Sequence, residues 1–204
     1  HARVVKVLTD NNDKACGVIY KDTSGAEHRV TAPVVVLAGN AIGSARLLHL
    51  SASRSNPDGL ANRSGLIGKR LMLHPLARVT GLFRDRVDGH KGLSAGTFVS
   101  HHFYETDPDR SFRRGFKMQA LGTHGPALTA LGSLGRKVEW GNNHHQEFER
   151  HFGRAYSISI CSDDMPDNQN QVVLSKTMVA DDGLPSAKMI YKIPDEARNA
   201  LNYG

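Results

Sequence analysis

The chain has 204 residues, of which 39% are hydrophobic and 23% charged, so it is long enough for one large hydrophobic core or two smaller ones. This composition excludes a disordered tail, and no apolar run reaches the roughly 20 residues that a membrane-spanning helix needs. The formal net charge is +6, but 26 basic residues are interspersed with 20 acidic ones, which does not favour a nucleic-acid-binding protein.

The amino-terminal residues predict three short antiparallel strands. The segments ARVVKVLTD, CGVIYKD and EHRVTAP are rich in β-branched residues, and the turns between them, near residues 11–14 and 23–25, contain Asn, Asp, Ser and Gly. We therefore expect a three-stranded meander.

The one fully apolar run, residues 34–37 (VVVL), predicts a strand buried on both faces of a parallel sheet. The small residues 38–40 (AGN) follow it, and a helix is predicted from near Ala45 with Ser44 or Gly43 as its cap. In doubly wound α/β folds a ligand binds at this end of a strand, and the helix offers free N–H groups to an anion. An ordinary strand–turn–helix joint is an equal alternative.

The rest of the chain predicts a mostly antiparallel sheet. Its predicted strands are RVTGLF, GTFVSHHFYE, RRGFKMQALG, RAYSISICS, NQVVLSK and SAKMIYKIP, each bounded by Gly, Pro, Asp or Asn. A helical insertion is expected near residues 126–152, where Leu128, Leu131 and Leu134 recur at helical spacing. The sequence pattern changes near His74, which predicts a domain boundary there.

A basic cluster spans residues 110–117 (RSFRRGFK). Its alternating Phe112 and Phe116 are compatible with a stacking platform for nucleic acid, but a strand with a solvated basic face is the commoner cause of such a pattern. We expect no nucleic-acid binding.

The histidines predict structural roles rather than catalysis. His74, before a proline, is expected to pack or hydrogen-bond at the domain junction, and His101 and His102 are expected on one strand, where either one could line a substrate cavity. The segment HHQEFERH, residues 144–151, places His and Glu four residues apart on one helix face. One exposed helix supplies at most two metal ligands, so no metal site is predicted.

The acidic pairs and the cysteines predict no nucleophilic or acid–base centre. Asp163 and Asp164 are expected in a turn or solvated loop, and the Asp-Asp-Gly segment at residues 181–183 in a hairpin turn. Cys16 and Cys161 are far apart in sequence and are expected to be small buried residues.

Taken in order, these blocks resemble the middle of a glucose-methanol-choline (GMC) flavoprotein oxidoreductase, most closely the gluconate-dehydrogenase-like branch. The resemblance covers the meander, VVLAGNAIGSARLLHLS (residues 35–51), NRSGLIGKRLMLHP (62–75), the antiparallel sheet and NQNQVVLSKTMVADDGLPSAKMIYKIP (168–194). The family's amino-terminal glycine fingerprint and its carboxyl-terminal HPxGT segment are absent from these residues. The chain is therefore expected to be an internal fragment of a longer enzyme.

The resemblance implies a mixed α+β and α/β fold. Residues 1–75 would form part of a Rossmann-like FAD-binding domain that includes the meander, and residues 76–204 a substrate-binding domain with a mostly antiparallel sheet. Val4 would lie along the adenine of FAD. The backbone at Ala38, Gly39 and Asn40 would approach the diphosphate and ribitol side of the cofactor, where a large side chain would occupy the cofactor's volume.

The function implied by the resemblance is oxidation of the CH–OH group of a sugar, polyol or other alcohol, with hydride passing to the flavin. The catalytic histidine would lie after Gly204, so no catalytic residue is assigned within this chain. Expected partners are the small-molecule alcohol or sugar and an electron-transfer subunit. The alternative is a non-enzymatic binding module for a carbohydrate or protein partner, in which the strand–turn–helix segment is only structural.

A first prediction concerns the isolated chain of 204 residues. Because the expected catalytic histidine and glycine fingerprint lie outside it, the purified chain should be catalytically inactive and should retain FAD weakly. Absorbance spectroscopy after purification measures the flavin content, and a stoichiometric amount of bound flavin would contradict this expectation.

Overall fold

The computed structural model describes residues 2–93, 98–122, 124–132 and 137–204. These residues form a mixed α/β structure with antiparallel sheets, which confirms the coarse fold class. The chain divides into two compact units: unit 1 comprises His1–Met72 and Pro166–Lys192, and unit 2 comprises Leu73–Met165 and Ile193–Gly204. The predicted division into cofactor and substrate domains after residue 75 stays a prediction, because packing alone does not show what each part binds.

Unit 1 begins with the predicted meander. Strands β1 (Arg3–Thr9), β2 (Ala15–Lys21) and β3 (Glu27–Thr31) pair antiparallel in the order β1-β2-β3. The side chains of Asp10 and Asp22 accept backbone N–H groups within the two turns, as Asx turns do. The prediction of three strands is therefore confirmed.

The predicted buried strand at residues 34–37 is wrong. The structure assigns these residues to no strand, and Val34 and Val36 are 72% and 82% exposed. A buried strand needs hydrogen-bonded neighbours on both sides, and no strand in the described part of the chain pairs with this segment. Apolar composition alone therefore did not determine its structure.

Helix α1 (Asn40–Leu50) begins earlier than predicted, and its cap is neither Ser44 nor Gly43. Asn40 has a left-handed φ of 56°, which asparagine tolerates better than most residues. Its side-chain Oδ1 accepts the backbone N–H groups of Ile42 and Gly43, each at 2.9 Å. The Asn40 side chain thus satisfies two amides of the first helical turn.

The predicted hairpin near residues 181–183 is confirmed. Strands β8 (Gln171–Val179) and β9 (Pro185–Ile190) pair antiparallel across this turn. The hairpin packs against α1, and the buried side chains Ala45, Leu71 and Val172 form the core between them. Unit 1 therefore joins residues from the two halves of the sequence.

Unit 2 contains the predicted antiparallel sheet. Strands β4 (Leu76–Leu82), β5 (Phe98–Ser100), β6 (Phe116–Leu121) and β7 (Ala155–Ser162) lie in the order β4-β7-β6-β5. Helix α4 (Asp195–Tyr203) packs against β7. The sheet thus has a central pair, β7 and β6, and two edge strands.

The helical insertion near residues 126–152 contains two separate helices, α2 (Pro126–Leu131) and α3 (His144–His151). Gly132 follows α2 with a positive φ of 78°, which ends the helix. Leu134, part of the predicted leucine pattern, lies outside the described residues. Among the helices of the described ranges, none has the length and apolar composition to cross a bilayer.

The phenylalanines of the basic cluster belong to the core of unit 2 rather than to a stacking surface. Phe112 and Phe116 are 3% and 2% exposed and pack with Ile160 and Ala200. Phe103 stacks on Phe116 with ring centroids 5.1 Å apart. Both predicted alternatives for the cluster are therefore wrong, since only its last two residues belong to a strand and its aromatic rings are inaccessible.

This core predicts a large effect of truncating Phe116. The substitution Phe116→Ala should lower the free energy of unfolding by about 3–5 kcal/mol, because it removes a buried ring and leaves a cavity. Phe98→Ala, at a ring that is 72% exposed, should change it by less than about 1 kcal/mol. Chemical denaturation measures both values, and equal losses would contradict the assignment of the core.

Candidate functional site

A cavity of about 460 Å³ in unit 1 brings together three of the four predicted cofactor residues, Val4, Ala38 and Gly39. Val4 belongs to β1, and the other two residues directly precede helix α1. Much of the wall is apolar and is formed by Val4, Val18, Val35, Leu37, Leu47 and Leu50. Most cofactor pockets are lined mainly by apolar side chains, and such a wall suits a flat heteroaromatic ring.

The bend at Gly39 is open. A Cβ atom built on Gly39 would lie 3.6 Å from the nitrogen of Ser44 and 3.7 Å from its Oγ, which are ordinary contact distances. The φ of Gly39 is −91°, which any residue can adopt. Alanine would therefore fit at this position, whereas a longer side chain would reach toward the cavity.

Asn40, the fourth predicted residue, does not line this cavity, because its side chain caps helix α1. The N–H groups of residues 42 and 43 already bond to the Asn40 side chain and are not available to an anion. That the start of the helix binds the diphosphate of a cofactor stays a prediction, whereas the apolar residues at this site fit the ring of a cofactor.

A buried ion pair positions the helix that borders the cavity. The Nη1 and Nη2 atoms of Arg46 each donate to the carboxylate of Asp182 at 2.9 Å, and Nε donates to the carbonyl of Pro185 at 2.8 Å. The Asp182 side chain is 1% exposed and that of Arg46 is 14% exposed. Hydrogen bonds from Arg46 hold the pKa of the Asp182 carboxyl below its usual value, although burial opposes this shift.

Further hydrogen bonds attach the meander to the same elements. The Oγ of Ser51, at the end of α1, accepts the N–H of Val7 at 2.9 Å and donates to the carbonyl of Leu47 at 2.7 Å. The Nζ of Lys21 donates to the carbonyl of Asp182 at 2.7 Å. Strand β1 and helix α1, which both line the cavity, are thus held together by a buried polar contact.

Unit 2 contains a second cavity of about 590 Å³, at the beginning of β6 and the end of β7. His74 and His101 line it together with Tyr104, Lys117 and Asp163. The strand predicted for His101 and His102 ends before them, at Ser100, so that prediction is wrong. His74 is exposed at this cavity rather than packed.

Asp163 and Asp164 have different environments, as expected for adjacent residues in extended chain. Asp163 lines the second cavity. Asp164 is buried, and its carboxylate accepts the N–H groups of Leu73 and Met165, each at 2.8 Å. The expected solvated loop is therefore wrong for Asp164, whose carboxylate holds the backbone shortly before β4 and shortly after β7.

The charged residues of α3 pair with one another along the helix. His145 lies 3.2 Å from Glu149, and His151 lies 3.3 Å from Glu147. Within the described ranges, no group of three or more His, Cys, Asp or Glu residues could hold a metal ion. Cys16 and Cys161 are free and half-buried, not buried as expected.

Comparison with known proteins identifies the family. Residues 1–76 match the family model described as GMC oxidoreductase. Over its whole length the chain is 41% identical to a 2-methyl-1,2-propanediol dehydrogenase from Mycolicibacterium austroafricanum, of which it covers 37%. Residues 1–76 therefore belong to the GMC oxidoreductase family, and the similarity to this relative extends over the rest of the chain.

Two more distant relatives match nearly the whole of this chain. One is the fructose dehydrogenase large subunit of Gluconobacter japonicus, 26% identical over 98% of the chain and 36% of the relative. The other is a 6'''-hydroxyparomomycin C oxidase from Streptomyces lividus, 27% identical over 98% of the chain and 34% of the relative. The chain thus spans about a third of the length of the curated relatives it matches.

These comparisons agree with the predicted resemblance to GMC oxidoreductases, and the relatives they name are two dehydrogenases and an oxidase. The gluconate-dehydrogenase-like branch stays a prediction. So do the individual cofactor residues, because a similarity of whole sequences does not assign a role to one side chain.

Sequence reasoning missed the Arg46–Asp182 pair that holds helix α1 to the hairpin turn in unit 1. Arg46 is a charged residue within an apolar helical pattern, which could have indicated a buried partner. Asp182 was expected only as part of a turn. Since the two residues are 136 positions apart, no local pattern connects them.

The pair predicts a pH-dependent contribution to stability. Arg46→Met should lower the free energy of unfolding by about 3 kcal/mol at neutral pH, because it leaves the Asp182 carboxylate buried without its main partner. Since the pKa of Asp182 is lowered in the folded state, this contribution is complete above the ordinary aspartate pKa of about 3.9 and declines as the pH falls below it.

Denaturation at a series of pH values measures the difference between the wild type and Arg46→Met. The matched control is Arg63→Met, since the Arg63 side chain is 86% exposed and 3.9 Å from Asp13, and its loss should cost less than about 1 kcal/mol. A difference for Arg46→Met that grows as the pH falls would contradict the assigned role of the ion pair.

Proposed function

We propose that this chain is part of an FAD-dependent oxidoreductase that oxidises the CH–OH group of a sugar, polyol or other alcohol. The main support is the 41% identity, over the whole chain, to a relative named as a 2-methyl-1,2-propanediol dehydrogenase. A second relative is named as a fructose dehydrogenase. Both names describe the oxidation of a hydroxylated small molecule, which is the coarse activity proposed here.

Residues 1–75 would contribute one wall of the FAD-binding domain, whose Rossmann-like character is part of this proposal. Val4, Ala38 and Gly39 would contact the cofactor through the apolar cavity of unit 1, and Asn40 would act by fixing the start of helix α1. When bound, FAD supplies the redox chemistry, since it accepts the electrons of the alcohol. The protein's contribution here is to hold the ring against the backbone and to exclude water.

Residues 76–204 would form the substrate-binding domain, with the β4-β7-β6-β5 sheet as its scaffold. No residue of this chain is proposed as catalytic, and the catalytic histidine is placed after Gly204. An electron-transfer subunit is proposed as a partner, on the basis that one relative is named as a large subunit.

The test uses the complete protein, produced with FAD in the growth medium. We expect flavin absorbance in the purified protein and bleaching of that absorbance, without an external acceptor, when 2-methyl-1,2-propanediol or fructose is added. A folded protein that contains no flavin after incubation with FAD, or whose flavin no alcohol or sugar reduces, would overturn the proposal.

Gly39 provides a sharper prediction about the cavity. Gly39→Leu should reduce the flavin content of the complete protein, because its side chain would extend into the volume proposed for the cofactor. Gly39→Ala is the matched control: its Cβ makes only ordinary contacts, so it should keep its flavin and change the free energy of unfolding by less than about 1 kcal/mol.

Flavin content is measured by absorbance after gel filtration, and folding by thermal denaturation. If Gly39→Leu folds normally and retains as much flavin as Gly39→Ala, the proposed position of the cofactor is wrong.

A further inference from the structure

The second cavity, of about 590 Å³ in unit 2, is lined by five polar side chains that have no hydrogen-bond or ion-pair partner among the described residues. They are His74, His101, Tyr104, Lys117 and Asp163. His101 has only an edge-to-face ring contact with Tyr104, at 5.6 Å between centroids. Donors and acceptors that converge on one cavity without satisfying each other are available to a ligand.

Elsewhere in unit 2, charged side chains are commonly paired. Arg86 and Lys91 both contact Asp88, at 2.9 Å and 2.7 Å, and Arg110 lies 3.4 Å from Asp107. These pairs form between residues close in sequence. Lys117 and Asp163 line one cavity without forming such a pair.

Lys117 and Asp163 have opposite charges and are held in place by the sheet. Lys117 faces Cys161 in the β6–β7 ladder, and the backbone N–H of Asp163 donates to the carbonyl of Gly115 at 3.1 Å. No ion pair joins the two side chains, although both line the same cavity. A ligand that donates on one side and accepts on the other can lie between them.

We propose that this cavity binds a polyhydroxy ligand, a sugar or polyol, between Lys117 and Asp163. A carboxylate accepts hydrogen bonds from neighbouring hydroxyl groups, and an ammonium group donates to hydroxyl oxygens. His74 and His101 each supply a further donor or acceptor. The Tyr104 ring offers an apolar face to the C–H groups of such a ligand.

This inference rests on the proposed function only for the choice of an alcohol as ligand. It deepens that function because it names the residues that would hold the part of the substrate remote from the reacting carbon. The binding site itself lies within unit 2 and requires no flavin.

Cysteine alkylation tests the proposal with an internal control. The sequence has two cysteines: Cys161 lines this cavity, and Cys16 lies in β2 of unit 1, both free and half-buried. Iodoacetamide labelling of the complete protein, followed by peptide mass spectrometry, gives the rate at each position. With D-sorbitol at about ten times its dissociation constant, labelling of Cys161 should slow about tenfold and that of Cys16 should not change.

Two variants test the charged pair directly. Lys117→Met and Asp163→Asn should each weaken the binding of D-sorbitol about tenfold, because each removes a charge-assisted hydrogen bond, so that the same D-sorbitol concentration slows labelling of Cys161 only about twofold. Lys137→Met and Asp109→Asn, at exposed positions of unit 2 outside the cavity, are the matched controls and should leave the protection unchanged. Thermal denaturation shows that each variant is folded.

The outcomes separate this inference from the proposed function. Protection of Cys161 that depends on Lys117 and Asp163 supports the cavity, whether or not the protein contains flavin. If D-sorbitol, D-fructose and 2-methyl-1,2-propanediol give no protection in the folded wild type, or if both charge variants are protected like the controls, the inference is overturned. Flavin that is reduced by an alcohol in that same protein would leave the proposed function standing.

Discussion

The ion pair between Arg46 and Asp182 joins helix α1 to the turn of the β8–β9 hairpin, 136 residues further along the chain. Removing two charges from water is costly, and this cost is offset here by paired hydrogen bonds and by the carbonyl of Pro185. The same helix forms one side of the proposed cofactor cavity. The position of that cavity therefore depends on an interaction with the β8–β9 hairpin. Truncating the chain before this hairpin would remove the ion pair.

Local features of the sequence predicted local structure well. The meander followed from β-branched segments and from Asp and Gly in the turns, where the Asp10 and Asp22 side chains do accept turn amides. The hairpin at residues 181–183 followed in the same way. The family was predicted from several blocks in one order, which carries more information than any single motif. Val4, Ala38 and Gly39 line one cavity, and their contact with a cofactor stays a prediction.

Apart from the cap of helix α1, the predictions that were wrong share a physical cause, because each depended on groups distant in sequence. Residues 34–37 predict a strand by composition, but a strand exists only where another backbone satisfies its amides and carbonyls. Phe112 and Phe116 are separated by basic residues, yet the core formed with α4 buries both rings. Asn40 at the helix start is a local exception, since its own side chain replaced the expected cap. For the cavity of unit 2, the sequence indicated only that His101 or His102 could line a cavity, because the other lining residues come from three further parts of the chain.

The exposed valines of residues 34–37 have a consequence for the behaviour of the chain in solution. An unpaired backbone segment with apolar side chains can bind a strand of a second molecule by β-augmentation. Proteins usually protect such segments with lysine, proline or a covering element, and Pro33 stands directly before the run. Self-association through this segment would therefore compete with folding at high concentration. A charged residue in place of Val36, which is 82% exposed, would oppose this self-association.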